Sequence, residues 1–267
     1  MSFPLFKHFL KQNWKLWAIF VGVLLGYMLI LVFIFDQMQE QMGGGDMMGI
    51  TFDMTSRFGL LISAYWGQIA LMFPIVFYIM LANKLVSKNV DNNSMSAYLS
   101  SSLSRKKYVT TAAVFFAPSI FMMFFAVFVI GGVTLAAFES YNFWHWTLTC
   151  FSVFLSTLFV AAICFFISAS FPANKIAFAT LIGIPIAFFL INWLGEMPVL
   201  DFLKYLTPFG YPVYGYIPVG QNPADPGFVP TFTIEPLWWL INLVFLSVAL
   251  ILFFTSIKIF DKKQLSI

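Results

Sequence analysis

The sequence predicts an all-α membrane protein with six transmembrane helices, and three observations carry that reading. Apolar residues make up 61% of the 267-residue chain and charged residues only 9%, a balance outside the range of soluble domains. Six apolar runs, at residues 16–35, 58–82, 109–138, 146–170, 176–194 and 237–257, each meet the roughly 18 to 20 residues needed to cross about 30 Å of hydrocarbon. The charges between these runs are segregated. One side holds Lys7, Lys11, Lys15, Lys84, Lys88, Arg105, Lys106, Lys107, Lys175, Lys258, Lys262 and Lys263, with only Asp91 and Asp261 as acids. The other side holds the remaining acids, from Asp36 and Glu40 to Asp225 and Glu235, against Arg57 and Lys204. Basic loops stay in the cytoplasm, so both termini are expected inside a plasma or inner membrane. The whole chain, 1–267, reads as one transmembrane domain.

Residues 1–15 open with an amphipathic pattern. Phe3, Phe6, Leu10, Trp14 and Trp17 recur at steps of three and four, while Lys7, His8, Lys11, Gln12 and Lys15 occupy the other face. Such a helix lies in the headgroup plane as an elbow before the first span, as a surface anchor or as a contact for a cytoplasmic partner. The first apolar run is span-length and continues into further spans, so it does not read as a cleavable signal peptide. Within it, Gly22 and Gly26 form a G-x-x-x-G pair expected in close helix packing.

The second span, 58–82, carries Ser63, Trp66, Gln68, Pro74 and Tyr78 in an otherwise apolar run. They read either as packing and kink residues or as contacts to something that passes. The connection that follows, 83–108, is short and basic. Asp91, Asn92, Asn93 and Ser94 supply helix-capping side chains. After them Met95, Tyr98, Leu99 and Leu103 make one apolar stripe, and Arg105 marks the return to the membrane. The stripe must bury itself on the membrane, on the chain's own spans or on a soluble partner.

Beyond the third span, His145 lies between Trp144 and Trp146, where an aromatic belt is expected. The fourth span presents Ser152, Ser156, Cys164 and Ser168 on one packing face. Its two cysteines, Cys150 and Cys164, are about 21 Å apart along a helix and cannot bridge each other. The fifth span contains Gly183, Pro185 and Asn192. Residues 195–236 are too apolar for a solvated loop and too rich in proline for a span, so they read as short re-entrant helices in the outer leaflet. Lys258 closes the last span, where its ammonium can reach the interface.

The run from Asp91 to Arg105 resembles the cytoplasmic loop of type-2 ABC transporter permeases, the ABC-2 membrane subunits of bacterial exporters. Asp91 stands at that loop's acidic position, Asn93-Ser94 where Gly-Thr is usual, and Ser101-Ser102-Leu103-Ser104-Arg105 at its closing turn. Asn93 and Ser102 depart from the pattern, replacing glycine and proline. The segment Leu203 to Phe209 and the tail Phe260 to Leu265 agree as well, so the likeness covers nearly the whole chain. Peptide and antibiotic exporters, such as those for phenol-soluble modulins and lantibiotics, are the nearest group.

The resemblance implies a coupling helix after the second span that docks on a cytoplasmic ATPase subunit, two copies per complex. Asp91, Asn93, Ser94, Met95, Tyr98, Leu99, Leu103 and Arg105 would make that contact. It implies a second permease copy or paralogue, with the second and fifth spans lining the path of an amphipathic cargo. Ser63, Trp66, Gln68, Tyr78 and Asn192 would then line that path. ATP and magnesium would belong to the partner, because this chain has no G-x-x-x-x-G-K-[ST] loop; Gly43-Gly44-Gly45 lacks the lysine that must follow.

The residues narrow the classes further. The spans carry essentially no charge in their interiors, which disfavours proton- or ion-coupled carriers and voltage sensors. His8 and His145 fall on opposite sides, so no metal site is expected, and the net charge of +3 reads as an orientation signal without nucleic acid. The chain is not expected to be an enzyme by itself. A membrane scaffold for a soluble regulator and an energy-independent channel are the rival readings.

Overall fold

An apolar sequence with no interior proline forms one unbroken helix at the N-terminus. The computed structural model describes residues 2–42, 46–47, 50–51, 56–91, 104–138, 141–171, 175–195, 197–210, 216–219, 231–234 and 236–262. Helix α1 runs Phe3–Met42, about 60 Å at 1.5 Å per residue and twice the thickness of a hydrocarbon core. The amphipathic stretch expected as a separate elbow forms the first four turns of this helix. Pro4 sits in the first turn, where its missing N–H costs no bond, and nothing between there and Met42 breaks the ladder.

Helix α2 is less regular. Ser56 caps it by accepting from Gly59 N at 2.9 Å, and Arg57–Leu60 makes the first α-turn. A π-helical segment follows at Leu61–Ile69, then α-helix at Ala70–Ala82, a second π segment at Asn83–Ser87, and a last α-turn at Lys88–Asp91. Pro74 lies inside the central α segment and removes one ladder hydrogen bond. Helices α3 (Arg105–Phe138), α4 (Phe143–Ser170), α5 (Lys175–Leu194) and α6 (Pro236–Lys262) complete the bundle. Asn142 caps α4 by accepting from His145 N at 3.0 Å. Among the described residues, six helices are long and apolar enough to cross a membrane.

The bundle is centred on α4. Of its most apolar stretch 72% is buried, against 22% in α5 and in α6, so those two helices keep one face without a partner among the described residues. Ser152, Ser156, Cys164 and Ser168 of α4 are all buried. Ser152 Oγ donates to Asn242 Oδ1 of α6 at 3.0 Å, and Asn242 Nδ2 donates back to Trp238 O. Both cysteines are free and buried.

Gly22 and Gly26 are not sites of close packing within the chain: nothing lies within 4 Å of a Cβ built on either. The close approach occurs at Gly131 of α3, which faces Trp146 of α4 and Met28 of α1.

At the acidic end Arg57 fastens three helices. Its guanidinium donates to both carboxylate oxygens of Asp36, at 2.7 and 2.6 Å, and its Nε reaches Val32 O at 3.3 Å. It also lies 5.1 Å from the ring centroids of Phe35 on α1 and Phe138 on α3. Asp36 is largely exposed, so water screens the ion pair, while the two rings hold the planar cation in place.

The region between the last two spans is the one expected to hold short re-entrant helices. Its described part is a 3₁₀ helix, Pro198–Leu206, and an antiparallel ladder pairing β3 (Tyr216–Val219) with β4 (Thr231–Ile234). Prolines and β-branched residues favour such extended pieces over α-helix. A second, two-residue ladder joins β1 (Asp46–Met47) to β2 (Ile50–Thr51). The chain folds tightly around Lys204: a Cβ at Gly195 would lie 2.5 Å from Lys204 N, and one at Gly210 would collide with the Lys204 carbonyl.

Candidate functional site

At the basic end, α2 leaves the bundle and α3 returns to it. The π segment at Asn83–Ser87 interrupts the regular α-ladder, and carbonyls of this stretch gain side-chain donors. Asn89 Nδ2 donates to Lys84 O at 3.0 Å, to Leu85 O at 3.2 Å and to Tyr108 Oη at 2.8 Å. Tyr108 Oη donates in turn to Leu85 O at 2.8 Å. Tyr108 is fully buried and meets Phe9 of α1 edge-to-face, with centroids 5.8 Å apart. Ser104 caps α3: its Oγ accepts from Lys107 N at 3.3 Å and its carbonyl from Tyr108 N at 3.0 Å. Both ends of the predicted coupling connection are therefore tied to one another and to α1.

Asp91 is the last residue of α2, and Arg105 the first of α3. The other coupling candidates, Asn93, Ser94, Met95, Tyr98, Leu99 and Leu103, lie outside the described residues. Asn89 and Tyr108 were not singled out by the sequence reading. Their role depends on a π segment that hydropathy does not reveal.

Of the predicted path residues, Trp66 and Tyr78 are fully buried within the chain. Trp66 stacks on Phe124 of α3 at 6.2 Å and lies 5.6 Å from Trp146 of α4. Tyr65 meets Trp66 edge-to-face at 5.1 Å and donates its hydroxyl to Leu24 O of α1 at 3.2 Å. The Trp66 indole N–H is buried with no acceptor among the described residues. Ser63 donates to Gly59 O of its own helix at 2.9 Å, and the Gln68 side chain lies outside the described residues. Asn192 is brought elsewhere: it is buried near the end of α5 and accepts from Thr207 Oγ at 3.3 Å, which holds the 3₁₀ helix on α5. Trp66 thus joins α2 to the rings of α3 and α4, while Asn192 serves the acidic-side cap.

An open cavity of about 350 Å³ lies between α1, α2 and α3, lined by Phe6, Leu10, Trp14 and Trp17 together with side chains of the other two helices. Four of the five residues on the predicted amphipathic face thus line this open groove, Leu10 and Trp14 remaining about half exposed. A smaller cavity of about 150 Å³ is lined largely by phenylalanines of α3 and α4. No group of three or more His, Cys, Asp or Glu side chains that could hold a metal occurs among the described residues.

No protein-family model matches this sequence, and no curated protein matches it either.

Proposed function

We propose that this chain is the membrane-spanning subunit of an ATP-driven exporter of the ABC-2 type, moving a lipophilic or amphipathic cargo outward. The observation that carries the reading is the run from Asp91 to Arg105, which resembles a permease coupling loop and begins and ends at a fastened junction. A lever that transmits force needs such a base: movement of the loop would be passed to α1, α2 and α3 together. The chain has no phosphate-binding loop of its own, so ATP and magnesium belong to a cytoplasmic ATPase present in two copies. The thinly covered α5 and α6 leave room for a second permease copy or paralogue. The charge partition supports both termini in the cytoplasm, and the resemblance to bacterial exporters supports a bacterial plasma membrane.

The test uses proteoliposomes holding the permease and the ATPase that co-purifies with it. Transport should survive collapse of proton and sodium gradients and stop when the hydrolytic residue of the ATPase is disabled. Leu99→Asp would bury a carboxylate in the partner's groove and should weaken association by several kcal/mol, roughly a hundredfold or more in affinity. The variant should still insert. Gradient-driven uptake by the permease alone would overturn the proposal in favour of a secondary carrier, and unchanged ATPase binding by Leu99→Asp would remove the docking role.

A further inference from the structure

The cavity between α1, α2 and α3 is built as a site for an amphiphile. Its walls are aromatic and aliphatic: Leu10, Trp14 and Trp17 of α1, Phe77 of α2, and Phe115 and Met122 of α3. At about 350 Å³ it falls within the range of small-molecule pockets, roughly 300 to 1,000 Å³. It is open along one side, where Leu10 and Trp14 are 52% and 53% exposed.

Three polar side chains of its wall, Trp17, Ser119 and Asn13, donate to backbone carbonyls. Trp17 Nε1 donates to Ser119 O at 3.0 Å, and Ser119 Oγ donates to Phe115 O at 2.7 Å. Asn13 Nδ2 donates to Phe9 O at 2.8 Å, which fixes the orientation of the amide. Asn13 Oδ1 is then left buried without a donor among the described residues, on a residue only 2% exposed. A buried acceptor in this state is costly, and a ligand hydroxyl would satisfy it.

Charge gives the cavity a direction. The Lys84 ammonium is held 3.2 Å from Gln12 O, one residue from Asn13. Lys11 and Lys15 are exposed on the same helix. Along α1 the wall runs from Phe6 and Leu10 past Asn13 to Trp14 and Trp17; along α2 it runs from beside Lys84 past Leu81 to Phe77. On α2 the cation thus lies at the basic end of the bundle and the ring deeper, while on α1 the lysines flank the wall. That polarity matches a lipid entering from the basic side, with its headgroup at the lysines and its chain among the aromatics.

We propose that this cavity binds one acyl chain of an anionic, hydroxyl-bearing phospholipid, with Asn13 Oδ1 accepting a headgroup hydroxyl and Lys84 facing the phosphate. The site requires that the helices lie in a membrane and is independent of whether the chain transports anything.

Native mass spectrometry of the full-length purified protein, titrated with phosphatidylglycerol or with phosphatidylcholine of the same chains, tests the assignment. One phosphatidylglycerol should be retained at least about tenfold more tightly than phosphatidylcholine, and Asn13→Leu and Lys84→Gln should each erase most of that preference. Asn13→Leu removes a buried unpaired acceptor, so its thermal stability should be kept or raised, which separates loss of binding from loss of fold. Equal retention of the two lipids, or an undiminished preference in both variants, would overturn the proposal and leave a groove filled by whatever chain adjoins it.

Discussion

Gly131 of α3 stands where Trp146 of α4 and Met28 of α1 converge: a Cβ built there would lie 2.5 Å from Trp146 Cζ2 and 2.8 Å from Met28 Sδ. Neither neighbour yields easily. Trp146 is fully buried and its indole donates to Phe128 O at 3.0 Å, while Met28 is also fully buried. Gly131→Ala should therefore destabilise the folded protein by about 1–3 kcal/mol, as overpacking does in tight cores. Gly22→Ala meets nothing within 4 Å and should be neutral, or stabilising by up to about 1 kcal/mol through helix propensity. Thermal unfolding of the two variants in one detergent compares them directly; equal midpoints would refute the packing account. The sequence points the other way because Gly22 and Gly26 form a recognisable spacing. Gly131 is merely half of a Gly-Gly pair, and no spacing reveals which side chain another helix will bring against it. Arg57 was more legible, since it is one of only two bases on the acidic side, yet its two aromatic neighbours come from separate helices.

The continuity of α1 carries the prediction at the scale of elements. If Phe3–Met42 is one helix, spin labels at positions 7 and 30 should be separated by about 35 Å along the axis. A bend near 90° after residue 15 would shorten that to about 25 Å. Both positions are exposed, so labels there should leave the packing intact, and pulsed dipolar spectroscopy resolves the difference. The shorter distance would restore the surface elbow and break up the lipid cavity, whose wall needs Leu10, Trp14 and Trp17 turned toward α3. The helices themselves were legible because burial in hydrocarbon demands length and apolarity that composition records directly. An amphipathic face looks the same whether its rings enter lipid or a neighbouring helix, so the sequence alone does not separate a surface elbow from a continuation of the first span. The π segments of α2 leave no mark in hydropathy, and the ladder of β3 and β4 lies where prolines obscure any period.

For the molecule as a whole, the arrangement of charge decides orientation, and orientation gives every other feature its side. The Asn89–Tyr108 junction and the rim of the lipid cavity lie at the basic end, whereas the Arg57 clamp and the fold around Lys204 lie at the acidic end. With lysine and arginine retained in the cytoplasm, the first pair would lie inside and the second pair outside. Single cysteines can read this without altering the spans. The two native cysteines are buried and should contribute little background to labelling by a membrane-impermeant maleimide. In intact cells, Gly45→Cys and Asn222→Cys should react, while Ser94→Cys and Gln264→Cys should react only after the membrane is opened. Labelling at position 94 in intact cells would invert the chain. It would set the basic connection beyond reach of any cytoplasmic ATPase and put the lipid cavity in the outer leaflet, so the transport proposal would fall while the cavity's preference for an anionic lipid could still be measured.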